Sequence, residues 1–134
     1  FDMYLNTEMM AKASVECGFR SVLVSGINDF SSSLEEVEAD FNTYNQYDEL
    51  IRYCLGFHAE YTTSRPLLEG VAKIADKYHA PVWTHNSETE REVAECKARW
   101  GMTANAVYGK SGAGMNMAAA VITVSGWRRK ILRY

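Results

Sequence analysis

Apolar residues along the first three quarters of the chain follow two spacings in turn. Four segments carry apolar side chains every three or four positions, as amphipathic helices do: 4–17, 31–45, 64–79 and 87–100. Three short apolar runs lie between them and are interpreted as buried strands: 21–26, 52–58 and 80–85. This alternation predicts an α/β fold in which crossover helices join parallel strands.

Residues typical of helix ends support these boundaries. Gly18 and Gly101 follow the first and the last helical segment, which is the usual place for glycine after a helix. The segment 31–45 opens with serines that are followed three positions later by glutamates, a capping-box pattern. Ser64 is expected to cap the third helix, with Pro66 in its first turn.

Two of the three histidines stand where predicted strands end. His58 ends the second strand, His85 ends the third, and Glu88 follows shortly after His85. The end of the first strand offers Asn28 and Asp29. Because ligands bind beyond the carboxyl ends of parallel strands, these positions predict a functional site at one edge of the sheet.

Structural roles are the alternative for these residues. His58 is then a hydrogen-bonded histidine at a strand end, and Glu88 is a carboxylate that complements the helix dipole. Ser87 or Thr89 simply caps the following helix. The third histidine, His79, precedes a strand, so it is expected at the opposite end of the sheet, exposed to solvent.

The composition is that of an ordinary globular protein. With 47% hydrophobic and 23% charged residues over 134 positions, the chain is long enough for one domain. No apolar run approaches the ~20 residues that cross a membrane, and no signal pattern precedes Met3. The cysteines at 17, 54 and 96 are odd in number and widely spaced, which favours a reducing cytoplasm over a disulfide framework.

Charge divides the chain near residue 101. Residues 1–101 hold all 17 acidic and nine of the 14 basic residues, whereas residues 102–134 hold five basic residues and no acidic one. Aromatic residues that would stack on bases are scarce in this basic tail, so we expect neither nucleic-acid nor membrane binding. The GKSGAG stretch at 109–114 has Ala104 in place of the first glycine of a phosphate-binding loop, which argues against nucleotide binding.

The stretches GFHAEYTTS (56–64) and PVWTHNSETEREV (81–93) together resemble the amidohydrolase superfamily. Its branch of 5-methylthioadenosine/S-adenosylhomocysteine deaminases and related metal-dependent aminohydrolases has a strand ending in His-Ala-x-Tyr-Thr, then one ending in His-x-x-Glu-Thr. Both motifs stand here in the same order and context. The resemblance covers roughly residues 1–103 and implies part of a (β/α)8 TIM barrel.

The resemblance implies a role for each of three residues. His85 corresponds to a metal ligand on the fifth strand of the barrel. Glu88 corresponds to the carboxylate that carries a proton between the metal-bound water and the leaving group, and His58 to a substrate-facing histidine. The implied cofactor is a divalent metal, zinc before others. The implied partner is a small purine- or nucleoside-like substrate.

Other features of the family are missing or altered. The family has an amino-terminal His-x-His metal pair, a histidine on the sixth strand and an aspartate on the eighth, and none is found here. The chain is therefore expected to be an internal segment of a longer protein, inactive alone because catalytic zinc takes about three protein ligands. Glu60 stands where relatives often have proline, whereas Tyr61 and Thr62 are expected to brace the loop. The oligomeric state is not predicted.

Residues 104–134 are predicted to be an aberrant tail. Read one base earlier, the codons for MAAAVITVSGW (117–127) permit Gly-Tyr-His-Cys-Val followed by an acidic helix, which resembles the sixth strand of the family. The hypothesis is a reading-frame error, and it predicts poor burial of the tail.

Three functions follow from these observations. The first is a segment of a metal-dependent hydrolase that acts on C–N bonds other than peptide bonds and deaminates a purine or nucleoside through a metal-activated water. The second is a related amidohydrolase such as a guanine deaminase or a triazine chlorohydrolase. The third is a non-enzymatic α/β binding module. That module would melt sharply and reversibly, whereas a barrel segment with open strand edges would aggregate.

Overall fold

The computed structural model describes residues 1–4 and 6–111 of the chain. Their elements, in chain order, are α1 (Thr7–Glu16), β1 (Ser21–Val24), α2 (Leu34–Tyr44), β2 (Ile51–Gly56), α3 (Arg65–Tyr78), β3 (Val82–Trp83), α4 (Glu90–Trp100) and α5 (Ala104–Ser111). The predicted alternation of helices and strands is confirmed, and α5 is added to it. No helix in this part of the chain is long and apolar enough to cross a membrane.

The three strands form one parallel sheet with β2 in its centre. Ser21 pairs with Ile51 where β1 and β2 begin, and Gly56 pairs with Trp83 where β2 and β3 end. Helices α2 and α3 supply the crossovers that parallel pairing requires. The amino-terminal residues lie along the outer edge of β1, where Asp2 forms a parallel bridge.

Alternate residues of β2 and its extension are buried against the helices. Ile51 and Tyr53 belong to one apolar cluster, and Leu55 and Phe57 belong to a second, larger one. Because successive side chains of an extended chain point to opposite faces, His58 lies on the other face of the sheet from Phe57.

Capping confirms several of the predicted helix ends. Oγ of Ser33 accepts a hydrogen bond from Glu36 N at 3.2 Å, and the Glu36 carboxylate accepts one from Ser33 N at 2.8 Å, which completes a capping box. Gly18 and Gly101 have φ of 66° and 68°, the left-handed conformation that favours glycine. His79 follows α3 and is exposed, as expected.

Two elements are shorter than the sequence predicts. Helix α4 begins at Glu90 instead of position 87, because Thr89 is its cap and Ser87 adopts a left-handed φ of 55°. Strand β3 comprises Val82–Trp83 instead of 80–85. Beyond β3, Thr84 Oγ1 and His85 N both donate hydrogen bonds to the carbonyl of His58. One of these donors is a side chain, whereas the hydrogen bonds of a regular strand pair join main-chain atoms only.

The first part of the predicted tail packs in the core. Ala104, Val107 and Tyr108 of α5 are 6%, 3% and 1% exposed, which differs from the poor burial expected from residue 104 onward. Their spacing places them on one helix face, and the Tyr108 ring meets Phe57 edge-on at 5.1 Å. The reading-frame hypothesis concerns residues 117–127, which lie outside the described residues, and it stays a prediction.

Candidate functional site

The chain segments that follow β1, β2 and β3 are tied together by main-chain hydrogen bonds. Phe57 N donates to Trp83 O at 3.1 Å, and His85 N donates to the carbonyl of His58 at 3.0 Å. His58 N in turn donates to Ile27 O at 3.0 Å. The backbone therefore fixes the two predicted site histidines as neighbours at the carboxyl end of the sheet.

The imidazole rings of His58 and His85 are in contact. Their centroids are 5.4 Å apart, and their planes stand at 81° to each other. Beneath them, the buried hydroxyl of Thr84 lies 3.1 Å from the carbonyls of both histidines, and the Tyr108 hydroxyl donates to the His85 carbonyl at 3.4 Å. The pair thus rests on a buried hydrogen-bonded support.

The loop after β2 holds the His58 ring on two sides. Nδ1 of His58 lies 2.8 Å from Oγ1 of Thr62, and the Tyr61 ring meets His58 edge-on at 5.8 Å. The Thr62 hydroxyl also donates to Ala59 O at 3.2 Å. The sequence predicts that Tyr61 and Thr62 brace this loop, and the structure adds that both contact the His58 ring directly.

Glu88 lies in the connection between β3 and α4, opposite the same loop. The Tyr61 hydroxyl donates to Oε2 of Glu88 at 3.3 Å. The backbone N–H of Glu88 donates to the Glu92 carboxylate at 3.0 Å. The left-handed Ser87 turns the chain just before this point, an uncommon conformation for a residue other than glycine. Tyr61 therefore links Glu88 to His58.

Burial governs the protonation of this group of side chains. Burial lowers the pKa of His58 and the adjacent His85 lowers it further, while Glu88 and Glu92 act in the opposite direction. Burial, followed by the charge of Glu88, raises the pKa of Tyr61. At neutral pH His58 is therefore mainly uncharged, and the Tyr61 hydroxyl keeps its proton and remains a donor.

An open groove of about 400 Å³ lies beside the two histidines. Its lining combines polar side chains such as Ser25 and Glu36 with apolar ones such as Met3, and both histidines line it. This volume falls within the roughly 300–1,000 Å³ typical of small-molecule sites.

Asn28 and Asp29, the polar pair after the first strand, serve the local structure. Asn28 lines the groove, but its amide donates to Gly26 O and accepts from Phe30 N within its own turn. The Asp29 carboxylate accepts a hydrogen bond from Ser64 N at 2.9 Å, at the start of α3.

Glu60 has a structural role that its position in the sequence did not indicate. It is 6% exposed, and its carboxylate accepts hydrogen bonds from Arg99 at 3.0 and 3.1 Å and from the Trp100 indole N–H. These bonds join the loop after β2 to the end of α4. The one indication in the sequence is that Glu60 stands where relatives often have proline. No helix or strand spacing pairs Glu60 with Arg99.

The described residues do not by themselves fit a catalytic metal. Among residues 1–4 and 6–111, no group of three or more His, Cys, Asp or Glu side chains is arranged to hold a metal ion. His58 and His85 offer imidazole nitrogens side by side, whereas a catalytic zinc takes about three protein ligands.

The sequence of the chain is similar to those of curated deaminases. The 5-methylthioadenosine/S-adenosylhomocysteine deaminase of Pyrococcus furiosus is 36% identical over 110 residues, covering 76% of this chain and 26% of the relative. The 5'-deoxyadenosine deaminase of Methanothermobacter thermautotrophicus has the same identity and the same coverage. The chain thus spans about a quarter of the length of the curated relatives it matches. No protein-family model matches it.

The fold has a counterpart among solved structures. The adenosine deaminase of Xanthomonas campestris, crystallised with bound zinc, matches with a TM-score of 0.72 and 26% identity, over 81% of this chain and 26% of that one. The partial (β/α)8 TIM-barrel-like fold is therefore confirmed. So is the resemblance to the deaminase branch of the amidohydrolase superfamily.

Proposed function

From this similarity to deaminases in sequence and fold, we propose that the chain is a segment of a metal-dependent hydrolase. This hydrolase removes an amino group from a purine- or nucleoside-type molecule. The observation that carries the proposal is the contact between the His58 and His85 rings at the carboxyl end of a parallel sheet, with Glu88 joined to His58 through Tyr61. This is where α/β barrels hold their active sites. The similarity to named deaminases supports the substrate class.

Glu88 is assigned to proton transfer. Hydrolytic deamination takes a proton from the attacking water and delivers one to the amine, which leaves as ammonia. A half-buried carboxylate oriented by the Tyr61 hydroxyl suits this relay. The alternative role at a helix start suits Glu88 less well, because Glu88 precedes the Thr89 cap, and Glu92 supplies the carboxylate that accepts from the backbone there.

His58 is assigned to substrate binding. It lines the groove, and the loop after β2 holds its ring by the contacts of Thr62 and Tyr61. A ring held in one orientation can direct a hydrogen bond at a bound substrate.

His85 is assigned as one metal ligand. The zinc of the Xanthomonas campestris enzyme supports zinc as the metal. Since the described residues do not complete a ligand set, the remaining ligands must come from chain beyond them, and the present chain alone is expected to be inactive.

A reducing compartment such as the cytoplasm suits the cysteines. Cys17 is exposed, Cys54 is half-buried and Cys96 is buried, and all three are free thiols. Free thiols of this kind are ordinary in reducing surroundings.

The test begins with the coding DNA on both sides of the chain. The complete gene product, corrected for any frame error, is expressed, loaded with zinc and assayed for ammonia release. The substrates are 5-methylthioadenosine, S-adenosylhomocysteine, 5'-deoxyadenosine and guanine, and the present chain is assayed in parallel. We expect release from at least one adenosine compound by the complete product and none by the chain alone. No release from any of the four compounds by the complete product would overturn the proposed substrate class, and release from guanine only would favour the guanine-deaminase alternative.

A further inference from the structure

We propose that Thr62 is a positioning residue that holds His58 in the Nδ1–H tautomer, which leaves Nε2 as a hydrogen-bond acceptor toward the substrate. This deepens the proposed function and rests on it in one respect, that His58 faces substrate. The tautomer itself is a property of the free protein.

The hydrogen bonds of the Thr62 hydroxyl carry the inference. A hydroxyl has one proton to donate and two lone pairs to accept with. Oγ1 of Thr62 lies 2.8 Å from His58 Nδ1 and 3.2 Å from Ala59 O, two atoms that compete for that proton.

Only one assignment turns both contacts into hydrogen bonds. If the hydroxyl donates to Ala59 O, then Nδ1–H of His58 donates to the hydroxyl, and both close approaches are satisfied. If the hydroxyl donates to Nδ1 instead, two acceptor oxygens face each other at 3.2 Å with no proton between them. The first arrangement gains a hydrogen bond and avoids that repulsion, so it selects the Nδ1–H tautomer.

The backbone keeps the hydroxyl in this position. Thr62 N donates to Ala59 O at 3.3 Å, and Asp29 N donates to Thr62 O at 2.9 Å. The turn is therefore closed on itself and tied to the segment after β1. Ala59, whose carbonyl accepts from both the Thr62 hydroxyl and the Thr62 backbone N–H, is 1% exposed, so this carbonyl is shielded from competing water.

The tautomer determines which substrate groups His58 recognises. With Nδ1–H engaged, the Nε2 lone pair can accept from an exocyclic amine, a ring N–H or a sugar hydroxyl. If a substrate presents an unprotonated ring nitrogen at the same place, its lone pair points at the lone pair of Nε2, and the two repel each other. His58 is therefore expected to select substrates that carry a donor at this point.

Nitrogen-15 NMR of the imidazole rings tests the tautomer directly. The chain contains three histidines, so the ring spectrum is simple, and a His79→Asn variant assigns one of them. Above neutral pH the protonated and the bare nitrogen of each ring have distinct shifts and distinct correlations to the ring protons. Wild-type protein, Thr62→Val, Thr62→Ser and Thr63→Val are compared. Thr63→Val is the matched control, because the buried Thr63 hydroxyl has no hydrogen-bond partner among the described residues.

The expected result is Nδ1–H for His58 in wild type, Thr62→Ser and Thr63→Val, and a shift toward Nε2–H in Thr62→Val. An Nε2–H wild type, or a Thr62→Val spectrum unchanged from wild type, would overturn the proposal. The wild-type spectrum decides even if Thr62→Val does not fold. If the chain aggregates, the spectrum is recorded on the complete gene product. The NMR measurement needs neither metal nor turnover. The tautomer result can therefore be distinguished from a failure of the proposed deaminase activity.

Discussion

Tyr61 reaches from the loop after β2 to the connection before α4 and donates its hydroxyl proton to Oε2 of Glu88 at 3.3 Å. Its ring also meets His58 edge-on at 5.8 Å. One side chain therefore orients the proposed proton carrier and borders the proposed substrate-binding histidine.

Replacing Tyr61 by phenylalanine removes the hydroxyl and keeps the ring. Because the freed Glu88 carboxylate samples more orientations, we expect kcat for deamination by the complete gene product to fall about tenfold, which corresponds to ~1.4 kcal/mol. KM should change much less, because binding through His58 is retained. Tyr47→Phe, in the turn after α2, is the control; equal kcat values for the two variants would remove Tyr61 from the mechanism.

The contacts of Glu60 with Arg99 and Trp100 predict that replacing Glu60 lowers the free energy of unfolding more than replacing an exposed glutamate does. Glu60→Gln weakens hydrogen bonds to a buried carboxylate, and bonds to charged groups are worth about 1.5–3 kcal/mol, so we expect ~2 kcal/mol of destabilisation. Glu69→Gln removes an exposed i,i+4 pair with Arg65 and should cost less than ~0.5 kcal/mol. Urea unfolding followed by tryptophan fluorescence measures both. Equal midpoints would show that the buried contacts add nothing.

Gly56 predicts a steric effect in the centre of the sheet. A Cβ there would lie 2.5 Å from Trp83 O and 2.6 Å from Ser25 O, and backbone atoms cannot move aside cheaply. Gly56→Ala should therefore destabilise the chain by about 1–3 kcal/mol, as overpacking does. Gly109→Ala, on α5, is the control, because a Cβ at this position would have no heavy atom within 4 Å. This substitution should be neutral or slightly stabilising. Similar unfolding midpoints for both variants would contradict the close approach of the strands.

His58 predicts a pH dependence of stability. Burial and the neighbouring His85 lower its pKa from the ordinary 6.5, so the unfolded state binds this proton more readily than the folded state. Stability from this source is complete above that ordinary pKa and declines as the pH falls below it. Between about pH 7.5 and about pH 5.5, His58→Gln should lose less stability than wild type.

The control for this comparison is His79→Asn, which removes an exposed histidine after α3 and keeps the half-buried His58 ring. The pKa of Asp40 is raised by burial and acts in the opposite direction, but it is common to all three proteins. Parallel curves for His58→Gln and wild type would contradict the burial of the His58 ring.

The order of the elements and the three proposed site residues could be predicted from the sequence. Apolar spacing reflects burial directly, and parallel strands bring their carboxyl ends together, so His58, His85 and Glu88 could be expected at one edge. The helical spacing of Ala104, Val107 and Tyr108 is also present in the sequence, but the family resemblance ends near residue 103, where acidic residues stop as well, and both features favour an aberrant tail.

Contacts between distant residues could not be predicted in the same way. Glu60 and Arg99 are 39 positions apart, and neither helical nor strand spacing brings them together. Beyond the two residues of β3, Thr84 and His85 both donate hydrogen bonds to the His58 carbonyl, 26 or more positions away. These are tertiary effects that override local pattern.

The most direct test of deamination through Glu88 is ammonia release by the complete gene product carrying Glu88→Gln, with Glu90→Gln as the matched control in the exposed first turn of α4. A positioned acid–base group contributes about 10²–10⁴-fold, so Glu88→Gln should lower kcat by at least ~100-fold while Glu90→Gln stays near wild type. The Glu88→Gln protein should still bind zinc, because the proposed metal ligand of this segment is His85. A Glu88→Gln enzyme as fast as Glu90→Gln would show that Glu88 does not carry the proton.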